Sequence, residues 1–490
     1  MLTCAQTKAL EERAFAEGVS AEALMDEAGA QIAEAVRQFF PRPGRCLSYF
    51  GKGHNGGDAL VAARHLAIAG WNIALPVTFP DAAWSELTAK KYRELQCVDF
   101  SGESHDPESL IVLDGLLGIG AGGALREPIK RQARAINASR ARSNARVFAI
   151  DLPTGLDGDT GAADADAVVA DYTLTIGAAK IGLLADEATR FVGRLAVLPL
   201  RELTTRMDGA AAAEVATPAA LAQLLSRRNF DMHKGDCGRV GIVAGAPGMI
   251  GAAVMCAEAA VHSGAGLVTL YVTEAVQPIV AARIAPEVMV RTFSSIRDLL
   301  EAGPDVLAIG PGLGRSRDVE VLELAAAAPQ PMVIDADALT ALAPRLEVLS
   351  HAAGPRLLTP HPGEMRRLDP DSAKRSRRET VEAFTARFPA TLLLKGARTL
   401  IGERGRPLSY NTTGSPGMAT GGMGDVLTGV CAGLAGQGLA LYDAARLGAW
   451  LCGRAAELAL LDSESEESLS ATHVIAHLGA AFRALRADGY

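Results

Sequence analysis

Residues 49–66 read YFGKGHNGGDALVAARHL, with glycines at 51, 53 and 56 in the pattern G-x-G-x-x-G. The apolar run RCLSYF (45–50) precedes them and a helix-like run follows. A strand, a glycine turn and a helix in that order open a dinucleotide-binding βα unit. A hydride-transferring enzyme also needs an acid at the tip of the next strand, about 20 residues on, to hold the ribose. WNIALPVTFPD (71–81) supplies only Asp81, about ten residues beyond that place. The same glycine spacing recurs at 118, 120 and 123 in LLGIGAGGAL, and no G-K-[ST] triplet of a Walker A loop occurs anywhere. The turn therefore speaks for the fold before it speaks for a cofactor.

Outward from that turn, uniformly apolar strands alternate with helices: RCLSYF, WNIALPVTF, SLIVLDGLLG, ARVFAIDLP and ADYTLTIG, with DALVAARHLAIAG and EPIKRQARAINASR between them. This is the pattern of a parallel sheet covered on both faces. Upstream, SAEALMDEAGAQIAEAVRQFF is an amphipathic helix capped by Ser20, with a face that suits a second copy of the chain, so a homo-oligomer is expected. RMDGAAAAEVATP breaks the alternation and is taken as a linker over 206–216. A second α/β series follows: GRVGIVAG, AGLVTLYV, VLAIGPG, PMVIDADAL, RLLTPHPGE and TLLLKGARTLIG, then long Ala/Leu-rich helices from Asp425. The reading is two α/β domains, 1–205 and 217–490.

Composition narrows the partners. A length of 490 residues exceeds what one core usually serves, and 49% apolar residues suffice for two. A net charge of -8 and a pI near 5.7 argue against nucleic acid or an anionic membrane as partner. Seven cysteines without a C-x-x-C pair suit buried thiols in a reducing cytoplasm. MLTCAQTKALEERAF lacks an apolar signal core, and the uncharged run 240–257 is broken by glycines and Pro247, so neither a secretory leader nor a membrane span is expected.

Polar clusters lie at the C-terminal ends of the strands, where open parallel sheets bind ligands. Asn55, Asp114 and Thr154 pool an amide oxygen, a carboxylate and a hydroxyl, a set that suits a hard cation; Asp114 and Asp151 as simple turn caps are the plainer alternative. Here the residues resemble a family. GKGHNGGDA, DGLLGIGAGG, DLPTGLDGDTG and ADYTLTIGAAKIGL, over Leu2 to about Leu203, are similar to the NAD(P)H-hydrate epimerase domain, which implies a Rossmann-like three-layer sandwich. The resemblance implies that hydrated NADH or NADPH is held by His54, Asn55, Gly56, Gly57 and Asp58, by Gly118, Ile119, Gly120, Ala121, Gly122, Gly123 and Ala124, and by Asp151. It further implies a potassium ion on Asn55, Asp114 and Thr154. His54, Ala59 and Thr154 depart from the asparagine, glycine and serine common in that family. Asp151 is the candidate general acid and base, a role that calls for a carboxyl raised by burial.

In the second domain, NTTGSPGMATGGMGDVLTG (411–429) places glycines at 421, 422 and 424 ahead of Asp425 and a helix. Free amides at such a helix start form an anion hole, and the aspartate can take a proton from an attacking hydroxyl; a glycine turn with Asp425 as cap is the alternative. The pattern resembles the ribokinase-like superfamily, and HKGDCGRVGIVAGAPGMIGAA, HSGAGLV, IGPGLG, DADAL, TPHPGEM, LKGART and GMATGGMGDVL are similar to ADP-dependent NAD(P)H-hydrate dehydratase. By that resemblance Ala252, Gly312 or Gly314, His361 and Asp425 contact the hydrate. Lys395, Gly396, Ala397, Arg398, Thr399 and Gly424 contact ADP, and Mg2+ accompanies the phosphates. His361, between two prolines, is equally suited to a structural hydrogen bond. The implied activity is repair of both hydrate epimers. A ribokinase-type kinase that leaves its product phosphorylated, and a binding scaffold like the lipoprotein-binding and mRNA-decapping proteins that share the first fold, are the competing readings.

Overall fold

A computed structural model describes residues 1–98, 109–120, 122–207, 212–300, 303–487 and 490. The chain divides into two compact units at Ala211 and Ala212. In the first, strands β1 (Arg45–Phe50), β2 (Asn72–Ala74), β3 (Leu110–Gly115), β4 (Arg146–Ile150), β5 (Tyr172–Ile176) and β6 (Arg194–Leu198) form one sheet in the order β2-β1-β3-β4-β5-β6. Every pairing is parallel. Alternate residues serve opposite layers. Ile111, Leu113, Phe148 and Ile150 join the core beneath helices Ala21–Phe39 and His54–Ile68, whereas Val112, Val147 and Ala149 join the one beneath helix Ile129–Ser143. Two buried faces explain why these strands read as unbroken apolar runs. The result is a three-layer α/β/α sandwich.

Two details differ from the sequence reading. WNIALPVTF supplies only the three-residue β2 plus an isolated bridge at Val77, because Pro76 has no N–H to give to a ladder. Ser20 does cap helix Ala21–Phe39, but Ile32, Val36 and Phe39 on its apolar face enter the core of their own unit. That face is not available to a second copy.

The second sheet comprises β7 (Ala213–Val215), β8 (Arg239–Val243), β9 (Leu267–Val272), β10 (Val288–Thr292), β11 (Val306–Ile309), β12 (Met332–Ile334), β13 (Arg356–Leu358), β14 (Thr391–Leu394), β15 (Thr399–Gly402) and β16 (Leu408–Asn411). Its order is β10-β9-β8-β11-β12-β13-β14-β15-β16-β7. Part of the expected linker is thus structured: β7 pairs with β16, while 208–211 lie outside the described residues. TLLLKGARTLIG, which reads as one strand, is two antiparallel strands joined by a turn at Lys395–Arg398. The run 240–257 splits into β8, a turn and helix Ile250–His262. Among the described residues no helix is long and apolar enough to cross a membrane.

Each sheet has one place where the strand order reverses, between β1 and β3 and between β8 and β11. The loops leaving those strand pairs diverge and open a crevice at their carboxyl ends. Behind the second crevice, helices Ile250–His262 and Met423–Gly436 approach closely because glycines face the contact. A methyl group at Gly429 would stand 2.0 Å from the Cys256 carbonyl oxygen. Gly429→Ala is therefore expected to destabilise the second unit by about 1–3 kcal/mol through overpacking, read as an earlier urea midpoint for that unit.

Candidate active sites

The glycine turn after β1 divides its labour. A methyl at Gly51 would lie 2.0 Å from the Leu116 carbonyl oxygen, and one at Gly56 2.2 Å from the Gly51 carbonyl oxygen, so both positions are closed by packing. Gly53 has open space around it and caps helix His54–Ile68 with no side-chain hydrogen bond. The first helical amides thus face a crevice rather than a capping side chain.

Asp114, at the end of β3, is fully buried. Its Oδ1 accepts hydrogen bonds from the Thr154 hydroxyl at 2.7 Å and from the Leu116 N–H at 3.4 Å, and its Oδ2 accepts from the Thr154 N–H at 2.8 Å. Burial pushes its carboxyl up to about 6 against the pull of those bonds. The Asn55 side-chain N–H donates to the Leu117 carbonyl at 2.9 Å, which leaves its Oδ1 as an acceptor. A buried carboxylate whose bonded donors are neutral, with hydroxyl, amide and carbonyl oxygens nearby, is a donor set that fits a weakly hydrated monovalent cation.

Above this layer lies a cavity of about 580 Å3, lined by residues that include Glu11, Asn55, Asp58, Ile119, Asp151 and Lys180. Asp151 follows β4 with φ of 66°, a strained setting for a non-glycine residue at a ligand site. Its carboxylate pairs with the buried Lys180 ammonium and accepts the Ile176 N–H at 3.1 Å. Lys180 also donates to the Ile176 carbonyl at 2.9 Å. Asp151 is thus not an isolated acid: Lys180 and the Ile176 N–H hold its carboxyl group in place. The carboxyl raised most clearly in the cavity is Asp58, by burial first and then by the negative charges of Asp151 and Glu11.

The cavity brings together His54, Asn55, Gly56, Asp58, Gly118, Ile119, Gly120 and Asp151. Gly57 does not join them: its Cα is pressed against the Met25 thioether, where a methyl would stand 2.4 Å from the sulfur. Gly122, Gly123 and Ala124 are exposed and outside the lining, and Ala121 lies outside the described residues. Sequence reasoning passed over Lys180 and Glu11. Lys180 sits inside the quoted ADYTLTIGAAKIGL, and a lone lysine after a strand was the available signal.

In the second unit, β12 is followed by Asp335, whose Oδ1 pairs with Lys395 Nζ at 2.8 Å and whose Oδ2 accepts from the Thr428 hydroxyl at 2.8 Å. A methyl at Gly424 would lie 3.1 Å from Lys395 Nζ, so this glycine lets the lysine rise to the start of helix Met423–Gly436. No side chain caps that helix, and Gly422 precedes it with φ of 92°. Asp425 in its first turn is pushed up to about 6, by burial and then by Asp335. Lys395 is raised: burial opposes its charge, but Asp335, Glu364 and Asp425 outweigh it.

At the β8/β11 reversal, Gly312 has φ of 55° and would meet Met249 and Ala252 if it carried a methyl. Gly314 (φ 76°) donates its N–H to Asp337 at 2.8 Å. Gly396 and Ala397 are exposed at the β14–β15 turn, whereas Arg398 and Thr399 are buried, Thr399 bonding back to the Gly396 carbonyl. His361 caps helix Pro362–Leu368, its Nδ1 accepting the Gly363 N–H at 2.9 Å. The structural role is thus present, and the exposed ring leaves Nε2 beside Glu364.

Comparison with known proteins follows the same division. A family model described as YjeF-related protein N-terminus matches residues 21–182, and one described as NAD(P)H-hydrate dehydratase matches 240–478. A bifunctional NAD(P)H-hydrate repair enzyme of Moorella thermoacetica is 38% identical over 89% of this chain and 87% of its own. One of Escherichia coli is 35% identical over 90% and 86% respectively. The crystal structure of an ADP/ATP-dependent NAD(P)H-hydrate dehydratase from Bacillus subtilis, co-crystallised with ATP and Mg2+, aligns with a TM-score of 0.50 and 27% identity, covering 56% of this chain and all of its own. The chain belongs to the bifunctional NAD(P)H-hydrate repair enzyme family.

Proposed function

We propose that the first unit interconverts the R and S hydrates of NADH and NADPH, and that the second dehydrates the S form with ADP, releasing AMP and phosphate. The observation that carries this reading is common to both units. Each unit holds an aspartate directly after a strand, Asp151 after β4 and Asp335 after β12, that is paired with a lysine and has a second carboxyl group close by.

In the first unit the open turn at Gly53 admits the dinucleotide to the uncapped helix start. The hydrated ring carbon bears a hydroxyl next to nitrogen, whose lone pair expels it; water returning to the other face inverts the centre. Asp151, held in position by Lys180, accepts the proton of that water. Asn55, Asp114 and Thr154 would hold potassium, whose charge would offset the buried Asp114 carboxylate and tie together the loops after β1, β3 and β4.

In the second unit Asp425 takes the proton of the hydrate's hydroxyl as it attacks the donor phosphorus, and the amides of Met423–Gly436 receive the transferring phosphoryl group. Phosphate then leaves with the electron pair of its carbon–oxygen bond as the nitrogen lone pair forms an iminium, and loss of a proton from the adjacent ring carbon to solvent restores the carbon–carbon double bond. Asp335, Asp337 and Glu364, the carboxyl groups whose charges act on Asp425, are the residues that would hold a Mg2+ ion accompanying the phosphates, whose charge would offset theirs. Gly396 and Ala397 are open to the adenine nucleotide, with Lys395 directed at its phosphates. Seven free cysteines suit a reducing cytoplasm.

Two outcomes test this. Asp425→Asn is expected to lower kcat for dehydration by about 10²–10⁴ with epimerisation intact, and wild-type dehydration is expected to fall as pH drops through about 6, where Asp425 gains its proton. Absorbance at the dihydronicotinamide band, with S hydrate, ADP and Mg2+, measures both. Replacing K+ by tetramethylammonium is expected to slow epimerisation of the R hydrate while sparing dehydration of the S hydrate, and Asp114→Asn is expected to remove that cation dependence.

A further inference from the structure

We propose that Asp58 is the proton donor of the epimerisation, serving the hydroxyl that leaves while Asp151 serves the water that arrives. The inference rests on the epimerase reading of the first unit and assigns to Asp58 a part in the chemistry beyond holding the ligand.

Asp58 stands in helix His54–Ile68, 9% exposed, with its residue lining the cavity. Among the described residues no hydrogen bond or ion pair holds its carboxyl, whereas Asp151 is fixed by Lys180 and the Ile176 N–H. The charged and titratable groups around the cavity come from several elements. Glu11, Lys8 and Cys4 project from helix Cys4–Ala16, Lys52 and His54 from the glycine turn, and Lys180 from the segment after β5. Of these, Glu11 and Asp151 oppose ionisation of Asp58, and Lys180, already paired with Asp151, only partly offsets them. A buried carboxyl that lacks a protein partner and faces two acids keeps its proton where a ligand can receive it.

The reaction itself requires two such groups. The R and S hydrates carry their hydroxyl on opposite ring faces, so one face loses water while the other gains it. Asp58 transfers its proton to the departing hydroxyl as the carbon–oxygen bond breaks. The electron pair of that bond leaves with water, and the nitrogen lone pair forms the iminium double bond. A second water then adds to the opposite face, the double-bond pair returns to nitrogen, and Asp151 takes the water's proton. Asp58 ends ionised and Asp151 protonated, the state that runs the reverse epimerisation; a proton exchanged through solvent resets it. No oxidant or reductant enters.

The test uses the full chain and R-NADPH hydrate, with dehydration of S-NADPH hydrate as the control within the same molecule. For Asp58→Asn, kcat for epimerisation is expected to fall about 100-fold or more, with KM within about threefold and dehydration unchanged. The wild-type rate is expected to decline as rising pH ionises Asp58, that decline is expected to vanish in Asp58→Asn, and Asp58→Glu is expected to restore part of kcat. A raised KM with kcat retained, or a decline with rising pH that persists in Asp58→Asn, overturns the proposal. If the variants fail to fold, the wild-type profile still decides, because a rate that does not decline with rising pH also overturns it. A wild-type chain that cannot epimerise at all refutes the epimerase reading itself, a result separate from any behaviour of Asp58.

Discussion

The Leu116 carbonyl oxygen occupies the space that a side chain at residue 51 would fill, 2.0 Å from where its first carbon would stand. This close approach of the loops after β1 and β3 sets the geometry of the first site. It brings the start of helix His54–Ile68 against the segment carrying Asp114 and Leu117, so that Asn55 can reach the Leu117 carbonyl. The parallel register, with Tyr49 opposite Asp114 and Phe50 opposite Gly115, ends both strands at the same level. Their loops must therefore either diverge or touch, and glycine at 51 allows them to touch below while the crevice opens above. The departure at Ala59 is absorbed at the same contact. Ala59 is fully buried and faces Gly115, where a methyl would stand 2.4 Å from the Ala59 Cβ, so a methyl is tolerated on one side because the other has none.

Legibility from sequence followed the physics of each feature. Strands buried on both faces announce themselves by continuous apolar residues, which is why β1, β3, β4, β5 and most of the second sheet could be read directly. β6 was overlooked although Gly193 marks the turn before it, and β7 because its alanine-rich surroundings look like a linker until β16 pairs with it. The two strands in TLLLKGARTLIG merged for a related reason: the turn between them is only four residues long and contains a single glycine.

Within the sites, motif residues at strand ends were accessible, since a parallel sheet gathers its strand ends whatever the loops contain. Partnerships across the chain were not. Nothing in the spacing of Asp151 and Lys180, or of Asp335 and Lys395, declares that each pair forms an ion pair, because that depends on which strands become neighbours. The glycines show the same limit in another form. Gly53 faces a crevice whereas Gly57 is pressed onto Met25, although both belong to one glycine-rich loop. Composition marks the loop, and only the packing of helix Ala21–Phe39 decides which glycine serves the ligand and which serves the core.

The recurrence of a lysine-locked aspartate in two unrelated sheets has a physical reason. A strand-end carboxylate inside a crevice loses much of its hydration, and without a partner it would take up a proton or destabilise the fold. Lys180 and Lys395 pair with Asp151 and Asp335 and fix them in position. The locked pair then acts on a neighbouring carboxyl. Asp151 opposes ionisation of Asp58, and Asp335 opposes that of Asp425, in each case after burial has made the larger contribution. Each unit thereby holds one carboxyl group paired with a lysine and, near it, one carboxyl group that burial and its neighbours have raised. The same arrangement serves opposite needs: at about 6, Asp425 is mostly ionised at neutral pH and ready to accept, whereas Asp58, flanked by two acids, is shifted toward keeping its proton and giving it away. The difference lies in the lysines. Lys395 sits beneath Gly424 and acts on Asp335 and Asp425 together, lowering the latter. Lys180 is bound up with Asp151, Thr175 and the Ile176 carbonyl, and leaves Asp58 the less compensated of the two.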